Sequence, residues 1–293
     1  MANSFGTSTL SKALRDKYRQ AQIDLALRKA LVAEKVCLVD RSDLKTISNP
    51  YLTALTATVA TIAGTYTTGD NLTTTDEYLE VTDQVTCPTH IYQFEQVTSN
   101  FDLFYTATKA MTNAMVEAID KWVVNELCER GTTEFDTPAG GFTTSANVVT
   151  ILATIIAKCS GYAEAMNGFY VIVENSDLTG IIPAQAGSGY SYADAALNNG
   201  FVVSMLGVDI YVVRDSTFVD ATASTASGSK TWTNSGHRVG GVKKVATYAS
   251  PRGVVIEEKG ITNKTGQEVV AIANIGFKQW YTTAALTCDI TIK

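Results

Sequence analysis

The segment Asp102–Arg130 has the longest uninterrupted helical periodicity in this chain. Its apolar side chains recur at steps of three, four or five residues, which places them on one stripe of an α-helix. They are Phe104, Ala107, Met111, Met115, Ala118, Trp122 and Leu127. A helix of about 27 residues is about 40 Å long, well beyond the roughly 11–12 residues of an average helix. We therefore expect the protein to be built along one long helix.

Both ends of this segment carry helix boundary signals. Asn100 or Asp102 can cap the first turn, and Gly131 directly follows the last one. The charge of Arg130 suits the negative end of the helix dipole. No pattern of catalytic residues lies on the helix, which favours a structural role for it.

Length and charge limit the class of protein. A chain of 293 residues exceeds what one compact core usually holds, so we expect two subdomains or one large discontinuous domain. The net charge of -6 gives no reason to expect affinity for nucleic-acid phosphates or anionic lipid. A protein that merely encloses nucleic acid remains compatible with this charge.

The cysteines predict free thiols. Their number is odd, they are widely spaced and no CxxC pair occurs; they are Cys37, Cys87, Cys128, Cys159 and Cys288. We therefore expect buried thiols made in a reducing cytoplasm rather than a disulfide framework. The start of the sequence lacks the apolar core of a signal peptide, and no run of 18 apolar residues predicts a membrane span.

The region before the long helix opens with a polar stretch. Residues 1–19 are expected to form a flexible arm, and residues 20–36 have helical periodicity. Asn49-Pro50 is expected to break the chain.

A β arm is predicted next. Thr53–Thr65 is β-prone, and Glu77–Cys87 alternates apolar with polar side chains, so the two segments predict a long two-stranded ribbon. Its tip, residues 64–77, is too polar to be core. Such a ribbon is marginal in water and normally needs a surface to lie against. An edge hairpin packed on its own domain is an equally weighted alternative.

The region after the long helix predicts alternating helices and strands. A helix is expected from Asn147 to Cys159, and the apolar runs Phe169–Val173 and Val208–Val213 are typical of buried strands. Shorter helices are expected at Leu178–Ile182, capped by Ser176 or Asp177, and at Ala193–Leu197. This alternation predicts an α/β subdomain over roughly 146–245. Strands at Gly253–Glu258, Glu268–Ile275 and Ala285–Ile292 are expected to close the chain.

The motifs of common enzyme sites are missing from the sequence. It contains no GxSxG, no GxxxxGK[ST] and no GxGxxG after a strand, and Gly187-Ser188-Gly189 is better interpreted as a flexible loop. His90 and His237 stand alone, and Ser235 beside His237 lies in a segment expected to be a mobile loop.

The remaining candidates have simpler structural explanations. The paired acids Asp76-Glu77 and Glu257-Glu258 are expected to be solvated, because neighbours on a strand point to opposite faces. Trp122, Trp232 and Trp280 are expected to be core or interface anchors. We therefore predict no catalytic, cofactor-binding or metal-binding residue.

Taken in order, the elements resemble the major capsid proteins of tailed bacteriophages with the Hong Kong 97-type fold. Three passages carry the resemblance: Ala118–Val123 within the long helix, Asn199–Val212 in the α/β region, and Ala271–Phe277 continuing to Ile292. They look like that family's spine helix, a passage of its axial subdomain and its closing peripheral strands. Their order and spacing over nearly the whole chain make the case.

The resemblance implies an α+β fold with a defined division of the chain. An N-terminal arm and helix would occupy residues 1–49, and an extended β loop residues 50–90. A peripheral domain would combine residues 91–145, including the spine helix 102–130, with residues 246–293. An axial domain would occupy residues 146–245.

The same resemblance implies a function. The subunit would assemble with itself into pentamers and hexamers, which close into an icosahedral shell around packaged double-stranded DNA. It implies a location in the virion, with the host cytoplasm before assembly, and scaffolding, portal and decoration proteins as further partners. The ribbon would then lie on a neighbouring subunit. A shell that confines DNA without reading its sequence needs no basic groove, which agrees with the acidic charge.

One departure from the family concerns covalent crosslinking. Some members crosslink through a lysine of the extended loop, whereas residues 46–90 contain no lysine here and Lys45 lies only at the base. We therefore predict a shell held together without covalent bonds.

Two other functions compete with the phage capsid. An encapsulin-like nanocompartment would use the same fold to enclose a cargo enzyme. A soluble α/β enzyme or small-molecule binding protein would have its site near residues 187–200. A nanocompartment would form shells that contain protein instead of DNA, and a soluble enzyme or binding protein would remain a small particle.

Overall fold

The computed structural model describes residues 32–52, 74–92, 103–161, 167–187, 201–220, 222–225, 228–251, 253–260, 266–280 and 285–293. Several predictions lie outside these ranges. They are the flexible arm 1–19, most of the helix 20–36, the strand Thr53–Thr65 with most of the arm tip, the caps Asn100 and Asp102, and the helix Ala193–Leu197.

The described helices follow the predicted order. They are α1 (Val32–Val36), α2 (Leu103–Glu129), α3 (Ser145–Cys159) and α4 (Leu178–Gly187). Short 3-10 turns at Gly141–Thr143 and Asn175–Asp177 precede α3 and α4. None of the described helices combines the length and the apolar character needed to cross a bilayer.

The described strands extend over the whole chain. They are β1 (Leu38–Asp40), β2 (Thr46–Leu52), β3 (Thr74–Glu80), β4 (Asp83–Tyr92), β5 (Thr133–Asp136), β6 (Phe169–Glu174), β7 (Phe201–Met205), β8 (Val208–Val213), β9 (Thr222–Thr225), β10 (Gly228–Thr231), β11 (His237–Val242), β12 (Ala246–Ala249), β13 (Val254–Gly260), β14 (Gly266–Gln279) and β15 (Thr287–Thr291).

These strands form two larger sheets and two ribbons. One sheet has the order β1-β12-β14-β13, with β4 also paired to the long strand β14. The other has the order β5-β15-β11-β6-β8-β7 and is mixed, because the pairs β6–β8 and β5–β15 are parallel. The ribbons are β2–β3 and β9–β10, both antiparallel.

The long helix is confirmed as α2, which spans 27 residues. The predicted stripe is buried at Met111, Met115, Trp122 and Leu127. Over Trp122–Cys128, however, every side chain is buried, including the polar Asn125 and Glu126. A single stripe describes only the earlier part of the helix, because strands of both large sheets contact α2.

Two hydrophobic cores lie on opposite faces of strand β6. Tyr170 and Ile172 point into the core that contains Trp122 of α2, whereas Val171 and Val173 point into the core under α3 and α4. This explains why the segment has a continuous apolar sequence, since both faces of the strand are covered. The prediction of a buried central strand is confirmed.

The predicted chain break at Asn49-Pro50 is wrong. Both residues lie within β2, where Asn49 pairs with Glu77 and Pro50 with Asp76. Proline has no backbone N–H to donate to a neighbouring strand. It is tolerated here because β2 pairs only with β3 among the described strands, so the other edge of β2 has no neighbouring strand that requires a donor.

The predicted strand Glu77–Cys87 is divided in two. β3 ends at Glu80 and pairs with β2, and β4 begins at Asp83 and joins the sheet of β14. The alternation continues across the break, because Leu79 and Val85 are both buried. A periodicity of two cannot reveal a change of partner strand, which is why the sequence predicted one element.

The six-stranded sheet crosses the predicted domain boundaries. β6, β8, β7 and β11 come from the predicted axial residues 146–245, whereas β5 and β15 come from the predicted peripheral segments. The domain division stays a prediction, and any boundary drawn along the chain has to place these two strands with the axial sheet.

Candidate assembly surface and buried polar network

A buried arginine joins two carboxylates at the end of strand β6. Arg238 of β11 is 6% exposed. Its Nε lies 2.5 Å from Asp177 Oδ2, and its Nη2 lies 3.0 Å from Glu174 Oε2. The guanidinium also lies over the ring of Phe218, 5.1 Å from its centroid. Two carboxylates therefore face one cation in a largely dry position.

Backbone N–H groups add further hydrogen bonds to both carboxylates. Glu174 Oε1 accepts the N–H groups of Thr217 at 3.1 Å and Phe218 at 3.3 Å. Asp177 Oδ2, which also bonds Arg238, accepts the N–H of Glu174 at 3.0 Å. Buried charges are tolerated when they are paired and hydrogen-bonded, and both carboxylates of this cluster are.

Asn125 connects the same region to the long helix. Its Nδ2 donates to the carbonyl of Thr217 at 2.8 Å, and its Oδ1 accepts the N–H of Val219 at 3.3 Å. Asn234 Nδ2 donates to the same Oδ1 at 3.2 Å. The loop 214–220 is thus held between the long helix and Glu174, which fixes α2 on the six-stranded sheet.

This network was not predicted from the sequence, although one signal was visible. Asn125 and Glu126 interrupt an otherwise apolar run from Trp122 to Cys128. Asp177 was expected only as a helix cap, and it does bond in the 3-10 turn that precedes α4.

Gly131 ends the long helix and also allows it to approach strand β15. A Cβ at Gly131 would lie 2.9 Å from both the Cβ and the backbone nitrogen of Asp289. The glycine was predicted as a helix terminator, and the structure adds this packing requirement to that role.

Asp120 links the long helix to α1. Its Oδ1 accepts the N–H of Val32 at 2.8 Å. Burial raises the pKa of Asp120 to about 7, while hydrogen bonds from the N–H groups of Val32 and Ala33 and the charge of Lys35 act in the opposite direction. The carboxyl therefore changes its charge in the physiological range.

The histidines each face a carboxylate across a strand pair. His237 Nδ1 lies 2.8 Å from Asp289 Oδ1, and His90 Nε2 lies 3.3 Å from Glu268 Oε1. Burial raises the pKa of Asp289, and its hydrogen bond to His237 acts against that rise. His237 begins β11, so its expected position in a mobile loop is wrong.

Ser235 does not act with His237. Its hydroxyl donates to Asp220, and its N–H also bonds Asp220 at 2.9 Å. These hydrogen bonds lower the pKa of Asp220, and they join two exposed positions that are 15 residues apart in the sequence.

The remaining candidates have structural positions. All three tryptophans are buried. Trp122 packs edge-on against Phe277, with ring centroids 6.2 Å apart. Trp122 therefore packs on the closing strand β14, three residues before Trp280, while Trp280 itself lies in a separate cluster with Leu79 and Ala249.

The paired acids and the glycine loop complete the survey of predicted candidates. Asp76 and Glu257 are exposed, as expected, whereas Glu77 is half-buried with its Oε2 3.9 Å from Lys278 Nζ. Gly187 ends α4, and Ser188 and Gly189 lie outside the described residues. Within the described ranges, no group of three or more His, Cys, Asp or Glu side chains could hold a metal ion.

A groove lies where the β2–β3 ribbon meets the first large sheet. Its volume is about 450 Å³, and it is lined by Asp43, Leu44, Lys45, Val81, Thr82, Asp83, Gln84, Pro251 and Asn274. Three large apolar side chains in or next to the ribbon segments are exposed: Leu38 (53%), Leu44 (60%) and Tyr78 (57%). Exposed apolar side chains in one region of the surface are typical of a site that contacts another protein.

Comparison with known proteins gives a result at the level of structure. No protein-family model matches the sequence, and no curated protein matches it. The capsid of cyanophage P-SCSP1u superimposes with a TM-score of 0.66 at 15% identity, covering 91% of this chain and 89% of that one. The capsid of a native GTA particle gives a TM-score of 0.62 at 11% identity, with 89% of each chain covered.

A virus-like particle from Pyrococcus furiosus is also similar. It gives a TM-score of 0.61 at 11% identity and covers 94% of this chain and 99% of that one. The chain therefore has the mixed α and β fold of these shell proteins, and the predicted resemblance to tailed-bacteriophage major capsid proteins is confirmed for the fold.

Proposed function

We propose that this protein is a major capsid protein, which assembles with copies of itself into pentamers and hexamers of an icosahedral shell. One observation carries the proposal. Capsid and virus-like-particle chains share its fold over 84–94% of its length, so the likeness includes the whole subunit and not one common motif.

We assign the parts of the subunit as follows. Residues 1–49 form the N-terminal arm and helix, and residues 50–90 the extended β loop. Residues 91–145 and 246–293 form the peripheral domain around the long helix, and residues 146–245 form the axial domain. The position of β2–β3 at the edge of the described fold supports the extended loop. This division needs one change: β5 and β15 lie in the peripheral segments but pair into the sheet of the axial domain.

Self-assembly explains the exposed apolar surface near the ribbon. A two-stranded ribbon is marginal in water unless it lies against another surface. Among the ribbon side chains that the structure describes, Leu79 on the inner face packs on Trp280 and Ala249, while Tyr78 at the next position points outward and is exposed. A neighbouring subunit would cover this outer face.

The proposed content of the shell is double-stranded DNA, and the proposed location is the virion, with the host cytoplasm before assembly. The net charge of -6 suits a wall that confines DNA without gripping it. Scaffolding, portal and decoration proteins are the further partners that such a shell would use.

Negative-stain microscopy combined with sedimentation tests the proposal. The purified protein is expected to form closed shells or capsomers, with particles in the megadalton range. Uniformly small monomers under every assembly condition would contradict it.

A surface variant makes the test sharper. Tyr78→Ser is expected to reduce the yield of shells while the melting temperature of the free subunit stays unchanged, because the side chain is 57% exposed in the subunit. Val149→Ser, at an exposed apolar position of α3 outside the ribbon, is the matched control and is expected to assemble normally. Equal assembly of the two variants would remove the ribbon from the contact surface.

A second candidate is a cellular nanocompartment that encloses a cargo protein. One similar structure favours it, because the particle from Pyrococcus furiosus is named virus-like and not the capsid of a phage. The content of purified particles separates the two functions. Nuclease-protected DNA supports a phage shell, and a protein cargo without DNA supports a nanocompartment.

A further inference from the structure

Cys159 and Cys288 lie in direct contact although they are 129 residues apart in sequence. Their sulfur atoms are 3.5 Å apart, and both side chains are fully buried. Cys159 is the last residue of α3, and Cys288 lies in β15. All five cysteines carry free thiols in this structure.

The packing of α3 on the sheet holds the two thiols together. Gly240 is the residue of β11 that pairs with Cys288, and a Cβ at Gly240 would lie 2.9 Å from the Cδ1 of Ile155. The helix therefore lies very close to the sheet at this point, and Cys159 follows one turn after Ile155. A disulfide requires an S–S distance of about 2.05 Å, so the sulfur atoms need to approach by about 1.5 Å.

We propose that Cys159 and Cys288 are a modification site, at which a peroxide oxidant forms an intramolecular disulfide. The other three cysteines are Cys37, Cys87 and Cys128, and they remain thiols. The protein made in a reducing cytoplasm would have both thiols reduced, and the bond would form after the folded subunit meets the oxidant.

The contact between the thiols assigns their roles. Either sulfur atom can donate in this contact. With Cys288 as the donor, the hydrogen bond stabilises the thiolate of Cys159 and lowers the pKa of Cys159. The same contact, together with burial, raises the pKa of Cys288. Cys159 is therefore the first nucleophile, because the thiolate is the reactive form.

The reaction balances with one peroxide molecule. The Cys159 thiolate attacks one oxygen of hydrogen peroxide, the O–O bond breaks, and the departing hydroxide takes up the proton released by Cys159 to form water. The resulting sulfenic acid is attacked by Cys288, the S–O bond breaks, and the second water leaves with the proton of Cys288. Two thiols are oxidised to one disulfide, and one peroxide is reduced to two water molecules.

The crosslink would join the end of α3 to a strand in the interior of the six-stranded sheet. β15 lies between β5 and β11, so the bond would fasten the C-terminal strand to the helix that covers it. Closing a loop of this length restricts the unfolded chain strongly, and we expect oxidation to raise the melting temperature by about 5 °C or more.

Counting thiols in the full-length protein tests the proposal. The folded protein is treated with hydrogen peroxide, the oxidant is removed with catalase, and the chain is denatured in an alkylating reagent. Intact mass is expected to show five adducts before oxidation and three afterwards. Peptide mapping is expected to recover a Cys159–Cys288 crosslink, and dithiothreitol to restore all five adducts.

Single substitutions identify the pair. Neither Cys159→Val nor Cys288→Val is expected to form a crosslink after peroxide treatment. Cys159→Val should keep four adducts, whereas Cys288→Val lacks the resolving thiol and should carry a sulfenic acid at Cys159 in place of one adduct. Cys87→Ser is the matched control, with four adducts before oxidation and two afterwards. If a valine variant does not fold, peptide mapping of the unsubstituted protein decides alone. Five adducts after oxidation, sulfinic acid at Cys159 without a crosslink, or a bond to another cysteine would overturn the proposal.

Discussion

Leu206 has a backbone conformation that leucine rarely adopts. Its φ is 55°, and the following Gly207 has a φ of 80°. The two residues form the turn between β7 and β8, and turns with two positive φ values favour Asn-Gly. The side chain is 42% exposed, so little packing within the subunit offsets the strain.

Replacing Leu206 by asparagine is therefore expected to stabilise the subunit. Leu206→Asn should raise the free energy of unfolding by about 1 kcal/mol, because asparagine tolerates the left-handed region. Urea denaturation of the unassembled protein measures the change. Leu206→Ala keeps the steric cost of a Cβ and is expected to have little effect, so equal gains in both variants would contradict the explanation.

Trp122 is expected to be one of the most costly residues to truncate. It is 2% exposed and packs edge-on against Phe277 in the core under the long helix. Trp122→Ala should lower the free energy of unfolding by about 3–5 kcal/mol, measured by urea denaturation. Leu38→Ala, at an exposed position, is the control, with an expected change within about 0.5 kcal/mol. A near-silent Trp122 variant would mean that the side chain faces a partner.

At this scale, the sequence predicts burial better than it predicts contacts. All three tryptophans are buried as expected, yet Phe277 and Trp280, three residues apart, lie in separate clusters, the first against Trp122. Apolar character determines that a side chain leaves water, whereas its neighbours depend on strand pairing across the whole chain. Pro50 illustrates the same limit. It can lie in strand β2 because that strand is paired on one side, and the sequence does not show how many neighbours a strand has.

The interface between the long helix and the six-stranded sheet depends on the Arg238 cluster. Arg238→Met would leave Glu174 and Asp177 as two buried carboxylates without their cation. We expect a loss of about 3–5 kcal/mol in the free energy of unfolding, measured by chemical denaturation. The triple variant Glu174→Gln, Asp177→Asn, Arg238→Met removes all three charges and should lose less. An Arg238→Met protein as stable as the parent would contradict the role of the cluster.

The contact between α1 and the long helix is expected to depend on pH through Asp120. The folded pKa of about 7 lies above the unfolded value of about 3.9. Between these values the folded state binds more protons than the unfolded state, so this group makes the free energy of unfolding fall as pH rises, by roughly 1–4 kcal/mol in total. Below pH 4 its contribution is fully present, and above pH 7 it is lost.

Comparison with Asp120→Asn isolates this effect. Melting temperatures measured at pH 5 and pH 8 should differ less in Asp120→Asn than in the parent, because the amide does not titrate. An identical pH dependence in both proteins would exclude Asp120 as its source.

Local periodicity explains why α2 could be predicted and its anchoring could not. The apolar spacing of the helix lies within one segment of the sequence. The partners of Asn125, in contrast, lie 92 and 109 residues further along the chain. The only sign of these contacts in the sequence is the polar pair Asn125-Glu126 within the apolar run from Trp122 to Cys128.

The whole particle is expected to be held together without covalent bonds. Residues 46–90 contain no lysine, so under the proposed function the extended loop lacks the side chain that a lysine crosslink would need. Assembled particles heated in detergent and run on a denaturing gel should give one band at the monomer mass of 31.4 kDa. A ladder of subunit multiples would contradict this prediction.

The order of elements along the chain was sufficient to identify the fold but not the composition of its sheets. The long helix, the α/β region and the closing strands occur as predicted. Each is recognisable from its own segment. The membership of β5 and β15 in the six-stranded sheet depends on contacts between distant segments, which no local pattern encodes.

The interior position of β15 has a consequence for the time at which the subunit can fold. Since β15 separates β5 from β11, the six-stranded sheet is incomplete until residues 287–291 have left the ribosome. A growing chain therefore exposes the edge of β11 from the time residue 242 is made until residues 287–291 follow. Only completed subunits present the complete sheet, so under the proposed function translation itself delays the moment at which copies of this chain can begin to associate.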